Sequence, residues 1–176
     1  MNIFAYHPDP YQAALWLDDV RRNKMILESV QMMSAAVHVL TPELKGHVYR
    51  LVHKNHPCSV WVRGSSANFD WLWRHTQALY EQRGKPHKSA DLLPWLGDWL
   101  DEYKHKFMFD DLTPFANCAR NRELGLDFTH IEDTHEAYRQ YTSARWATDT
   151  IPLSWNYGEE PEWRHRATES LTESQL

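Results

Sequence analysis

Cysteine is nearly missing from this chain: Cys58 and Cys118 are the two, far apart, and no C-x-x-C occurs. That argues against a disulfide framework or a cysteine-rich zinc site and suits a reducing cytoplasm. No run of about 18 apolar residues is present, so no membrane span is expected. The opening MNIFAYHPDPYQ has neither a basic start nor a long apolar core, so it does not read as a secretory signal. Also missing are G-x-x-x-x-G-K, G-x-G-x-x-G and G-x-S-x-G. Those absences count against NTP hydrolysis, dinucleotide redox chemistry and ordinary hydrolases. Internal repeats are absent and alternating strand patterns almost so, which leaves a mainly helical class.

What is abundant is tryptophan, with 9 in 176 residues, a length that suits one domain with a real core. The net charge of −5 hides an asymmetry. Residues 1–90 carry 11 Lys and Arg against 7 Asp and Glu, while residues 91–176 carry 8 against 17. Any grip on phosphate is therefore expected from the first half, and the acidic second half weakens a duplex-binding reading.

The expected architecture is all-α: one compact helical domain over residues 1–165 with irregular loops, then a polar, fraying tail over 166–176. Met1–His7 should dock on the core. Asp9-Pro10 reads as a cap and first helical position, opening a helix to about Arg22, with a second from Lys24 to Leu40. A bend is expected near Asn23. A short helix follows Pro57, and Ser66 reads as the cap of a helix over 67–83, with Phe69, Leu72 (or Trp73), Thr76, Leu79 and Tyr80 on its packing stripe. Further helices are expected over 91–104 and 132–148, with a loop through TPFANCARN.

The most informative pattern lies in LDDVRRNKMILESVQMM. Arg21, Lys24, Glu28 and Gln31 step by three, four and three, which sets them on one helical face. Ile26, Val30, Met33, Val37 and Leu40 hold the opposite, packing face. Lys24 and Glu28 form an (i, i+4) pair, worth roughly 0.2–0.5 kcal/mol to a helix whether or not it does anything else. Beside Met25, Leu27 and Met32, a carboxylate among cations also suits proton transfer or the grip of an anion.

A second cluster is His53, Asn55 and His56, followed by Trp61 and Arg63. Such residues can hold a base or phosphate by stacking and hydrogen bonds, or simply tie down a loop with Trp61 in the core. A zinc site from His53 and His56 lacks a second ligand pair, so no metal and no cofactor is expected.

Three blocks in order, LDDVRRNKMILESVQ, HKNHPCSVWVR and the helix from Asn68 ending in RGKPHK, resemble the pyrimidine-dimer DNA glycosylase (endonuclease V type) superfamily. They are most similar to a group of small phage proteins beginning MNIF. The resemblance covers roughly residues 1–90, with a looser echo in TPFANCA and EAYRQY…W…PEW. It implies an all-α fold whose N-terminus sits in the active site, where an α-amine attacks the deoxyribose C1′ and displaces the base through a Schiff base. On this footing Glu28 is the essential acid and Arg21 and Lys24 hold phosphates. Asp19 matches the same helix pattern off the main seam. Residue 2 is Asn, which disfavours removal of the initiator methionine. Either Met1 carries the reactive amine or the chain does not use Schiff-base chemistry.

Three functions follow as expectations. The first is a DNA N-glycosylase, with or without lyase activity, on damaged or modified pyrimidines. The second is a related phage enzyme acting on modified bases or nucleotides. The third is a non-catalytic module that binds nucleic acid or protein. The expected sites are Glu28 and Met1 for catalysis, and Arg21, Lys24, Gln31, His53, Asn55, His56, Trp61 and Arg63 for substrate. The expected partner is DNA or a modified nucleotide, and the expected location is the cytoplasm, that of the host if the chain is phage-encoded.

Overall fold

The computed structural model describes residues 1–165; the expected tail lies outside the described residues. The fold is all-α. Helices α1 (Pro10–Leu15), α2 (Asp19–Leu40), α3 (Pro57–Gly64), α4 (Ser66–Arg83), α5 (Leu93–Tyr103) and α6 (Thr134–Thr148) carry it. Short 3-10 turns cover Pro42–His47, Lys88–Leu92, Lys104–Lys106 and Glu162–His165. Within the irregular stretch before α6, β1 (Arg120–Asn121) and β2 (Leu126–Asp127) pair antiparallel, Arg120 opposite Asp127. None of the described helices is long and apolar enough to cross a membrane.

Helix α2 is the central element and packs against α3 and α4, while α1 packs on α4. Ile26, Val30, Met33 and Val37 are all buried. Side chains of that kind each contribute about 1.5–3 kcal/mol when taken out of water. The chain breaks at Trp16–Asp18, not near Asn23, because the break is where the backbone is served. Asp18 turns extended and its carboxylate caps α2 by accepting from the Arg21 N–H. The fully buried Arg22 donates to the Ala14 and Leu17 carbonyls and to Gln82 Oε1. The Leu15 carbonyl accepts from Glu159 N–H at 2.8 Å. The cap of α4 is Ser65, one residue before the expected Ser66; its hydroxyl accepts from Ala67 N–H.

The N-terminal segment has no regular structure, yet Asn2 through Tyr6 are buried. Side chains supply the hydrogen bonds that a ladder would otherwise provide. His135 Nδ1 lies 2.6 Å from the Ala5 carbonyl, and Arg139 Nε donates to Tyr6 O at 2.8 Å. From α4, Trp71 Nε1 donates to Pro8 O and His75 Nδ1 bonds Pro10 O. The segment is thus threaded between α4 and α6. At its start Asn2 Oδ1 accepts from the N–H groups of Ile3 and Phe4, at 2.7 and 3.0 Å. Phe4 sits at φ +55°, a left-handed conformation that is costly for a bulky residue. Its ring is held against Tyr6 and Tyr138, which offsets that cost.

The segment after α6 returns to the α1–α2 corner. Asp19 accepts from Ser154 Oγ and from the N–H groups of Asn156 and Tyr157. Burial opposes its ionisation, but these bonds win and hold the carboxyl below its ordinary value. Asp19 is therefore a latch on the C-terminal segment.

Candidate functional site

The seam of α2 forms one wall of a cavity of about 520 Å³. Met1, Asn2 and Phe4 close one side, Cys118, Arg120 and Asn121 a second, and Tyr141, Arg145 and the 149–153 segment a third. Inside it, the Glu28 carboxylate lies 3.7 Å from the Met1 nitrogen through Oε2. The same oxygen accepts from the Asn2 N–H at 3.3 Å, and Oε1 pairs with Lys24 Nζ at 3.4 Å. Glu28 is 8% exposed, whereas the Lys24 side chain is 69% exposed. The lysine pair is therefore screened and weak, and the enclosed partner of Glu28 is the chain's own amino end.

The position of that amine is built, not incidental. The Asn2 side chain folds back on Ile3 and Phe4, and its Nδ2 donates to Cys118 O at 3.4 Å. The Met1 sulfur accepts from Ser59 Oγ at 3.6 Å, and the Met1 side chain is 3% exposed. The first two residues are thus gripped from α2, α3 and the loop before β1.

Arg21 faces the cavity but is already engaged. It bonds Asp18 Oδ2 at 3.1 Å and Asp149 Oδ2 at 2.6 Å, joining the start of α2 to the end of α6. Asp18 is itself fully buried and accepts from Trp146 Nε1. Two carboxylates neutralise Arg21, so the cations left to meet an anion are Lys24, Arg120 and Arg145. Arg120 stands 3.8 Å from Asp127 with much of its side chain exposed. Arg145 donates to the Tyr141 hydroxyl, and its Nε is buried with no hydrogen-bond partner.

His56 caps α3, its Nδ1 accepting from Cys58 N–H at 3.2 Å, and its ring lies on the cavity wall. Burial, reinforced by the nearby α-amine, pushes the imidazole below its ordinary value. Next to it the Cys58 and Cys118 sulfurs are 3.6 Å apart as free thiols. Cys58 donates to Cys118; that bond and burial raise the Cys58 thiol, and accepting it lowers Cys118.

Other residues expected at the site lie off this wall. Gln31 is half-buried on α2 outside the cavity lining. His53 and Asn55 are exposed in the loop before α3, where the His53 carbonyl accepts from His56 N–H. Trp61 is buried: it stacks on Phe115 at 4.6 Å, and its Nε1 donates to Thr113 O. Arg63 donates to the Lys54 carbonyl and ties the same loop. The basic and aromatic run around α3 is thus largely a loop fastening, apart from His56. The wall residues that the sequence does not single out as site residues are Cys118, Arg120, Asn121, Tyr141, Arg145 and Asp149. Tyr141 and Arg145 carried one signal, the helical spacing that groups them on α6; nothing in the local sequence marks the other four.

Compared with known proteins, the chain matches no protein-family model, no curated protein and no solved structure.

Proposed function

We propose that this cavity is the active site of a DNA N-glycosylase with abasic-site lyase chemistry, acting on a damaged or modified pyrimidine. The observation that carries the reading is the Met1 nitrogen 3.7 Å from a buried carboxylate, inside a cavity rimmed by cations. A volume near 520 Å³ lies in the range of sites that enclose a small molecule, here a nucleotide turned out of the stack. In the proposed reaction the ammonium of Met1 gives a proton to Glu28 and its lone pair forms a bond to the deoxyribose C1′. The C1′–N bond to the base breaks and the base leaves with the proton that Glu28 took up. The new C1′–N bond then gives a proton to O4′ as the ring opens to the Schiff base, and Glu28 takes the C2′ proton as the C3′–O bond breaks and the 3′ phosphate leaves. Lys24, Arg120 and Arg145 are the cations suited to the flanking phosphates.

The test is borohydride trapping on duplexes carrying an abasic site or ultraviolet lesions. A covalent adduct is expected, lost in Glu28→Gln and in a chain extended beyond Met1 by Gly-Ser. No adduct and no nicking on both substrates removes the reading.

A second reading, catalysis on a free modified nucleotide, is favoured by the engagement of Arg21 with two carboxylates, which leaves less charge for a long backbone. It predicts turnover of nucleotides with little salt-sensitive duplex affinity. In either case two free thiols in contact fit a reducing compartment, and we place the protein in the cytoplasm.

A further inference from the structure

Beside the amine and Glu28 lies a group that the proposed chemistry does not use. One ring nitrogen of His56 and the sulfurs of Cys58 and Cys118 all lie within 4.8 Å of one another. We propose that His56, Cys58 and Cys118 form a binding site for one thiophilic cation, Zn²⁺, with its remaining coordination position open to the cavity.

The donor chemistry is selective. Two sulfurs and an imidazole are the ligand set of zinc sites, and a three-ligand set leaves a place for a small molecule. The spacing agrees: ligand sulfurs bound at about 2.3 Å in a tetrahedron stand roughly 3.8 Å apart, and these stand 3.6 Å apart. The sulfurs need almost no movement to share an ion.

Local structure presets the ligands. As cap of α3, His56 Nδ1 accepts the Cys58 N–H with the same lone pair that would bind a metal, so a metal at Nδ1 takes the place of that hydrogen bond while Nε2 keeps the proton. Cys58 is fixed in the first turn of α3 and buried, whereas Cys118 comes from the loop before β1. His56 and Cys118 both reach the cavity wall, so the open position points to the space that Glu28 shares. On binding, each coordinating thiol releases its proton to solvent and no oxidant is needed. The inference is independent of the substrate assigned to the cavity.

Co²⁺ and Zn²⁺ alone are the probes, on the full, reduced chain. Titration with Co²⁺ should give a thiolate-to-metal charge-transfer band that saturates at one equivalent and is bleached by Zn²⁺. The band should vanish in Cys118→Ser, and His56→Ala should weaken binding by about tenfold or more. On the unmutated chain, one equivalent of Zn²⁺ should slow alkylation of Cys118 by about tenfold or more, a readout that needs no variant to fold. Absence of the band at one equivalent, its persistence in Cys118→Ser, or alkylation unaffected by Zn²⁺ overturns the proposal.

Discussion

The backbone N–H of Asn2 donates to Glu28 Oε2 at 3.3 Å, so the residue that positions the amino end also touches the carboxylate beside it. The two halves of the candidate chemistry are thereby fixed to one another through the main chain of Asn2 and the carboxylate of Glu28.

Glu28→Gln keeps the acceptor for that N–H and removes the charge. Folding stability should change by no more than about 1 kcal/mol, while proton transfer at the amine is lost, at a cost of roughly 10²–10⁴ in rate. Thermal melts and single-turnover adduct formation measure the two sides. A variant with unaltered adduct yield would show that the carboxylate takes no part.

Asn2→Leu keeps a bulky second residue but deletes the acceptor for the Ile3 and Phe4 N–H groups. Two buried donors are left unpaired, each costing about 1–3 kcal/mol. Denaturant unfolding should show a loss of about 2–6 kcal/mol for the two donors together, and intact mass should show Met1 still present. Adduct formation should fall even at temperatures where the fold persists, since the turn that aims the amine is gone.

His75 gives the fold an acid limit. It is fully buried, stacks on Trp71, and its Nδ1–H is spent on Pro10 O while Nε2 has no hydrogen-bond partner. Burial lowers it from 6.5 to about 4. The unfolded chain therefore binds a proton that the folded chain refuses. The stability this residue confers is complete above pH 6.5 and is lost as the pH falls towards 4, by about 1.4 kcal/mol per unit. His75→Phe should flatten the acid limb between those values in urea titrations. An unchanged slope would assign acid sensitivity to other groups.

Gly158 is needed for space. A Cβ there would meet the Leu15 carbonyl oxygen at 2.3 Å and Arg22 Nη2 at 2.6 Å. Gly158→Ala must push the returning segment off the α1–α2 corner and should cost about 1–3 kcal/mol, read as a lowered Tm. A neutral outcome would mean that the segment shifts freely.

The parts of the site on α2 were legible because helical spacing converts sequence steps into a face. Arg21, Lys24 and Glu28 share a wall for that reason alone. The break between α1 and α2 was misplaced because Asp18 and Asp19 look alike in sequence. One caps a helix and the other latches residues 154–157, and only distant partners tell them apart. Local sequence leaves Trp61 open between stacking a base and lying in the core; burial against Phe115, from 54 residues further along the chain, is not written near it. Cys58 and Cys118 meet for a similar reason. The loop before β1 has no periodicity, and its course is set by contacts such as Tyr138 Oη accepting from the Cys118 N–H.

Trp146 and Trp163 lie nearly parallel, ring centres 5.2 Å apart at 13°, with Trp155 and Trp16 edge-on around them and Tyr6 alongside. Indoles this near couple their electronic excitations, and the edge-on neighbours skew the transition dipoles of the cluster, which gives it a contribution to ultraviolet circular dichroism that depends on the packing. Since the stack joins the threaded amino end to the strap that follows α6, its optical signature is a label-free gauge of whether the molecule is shut around its own beginning.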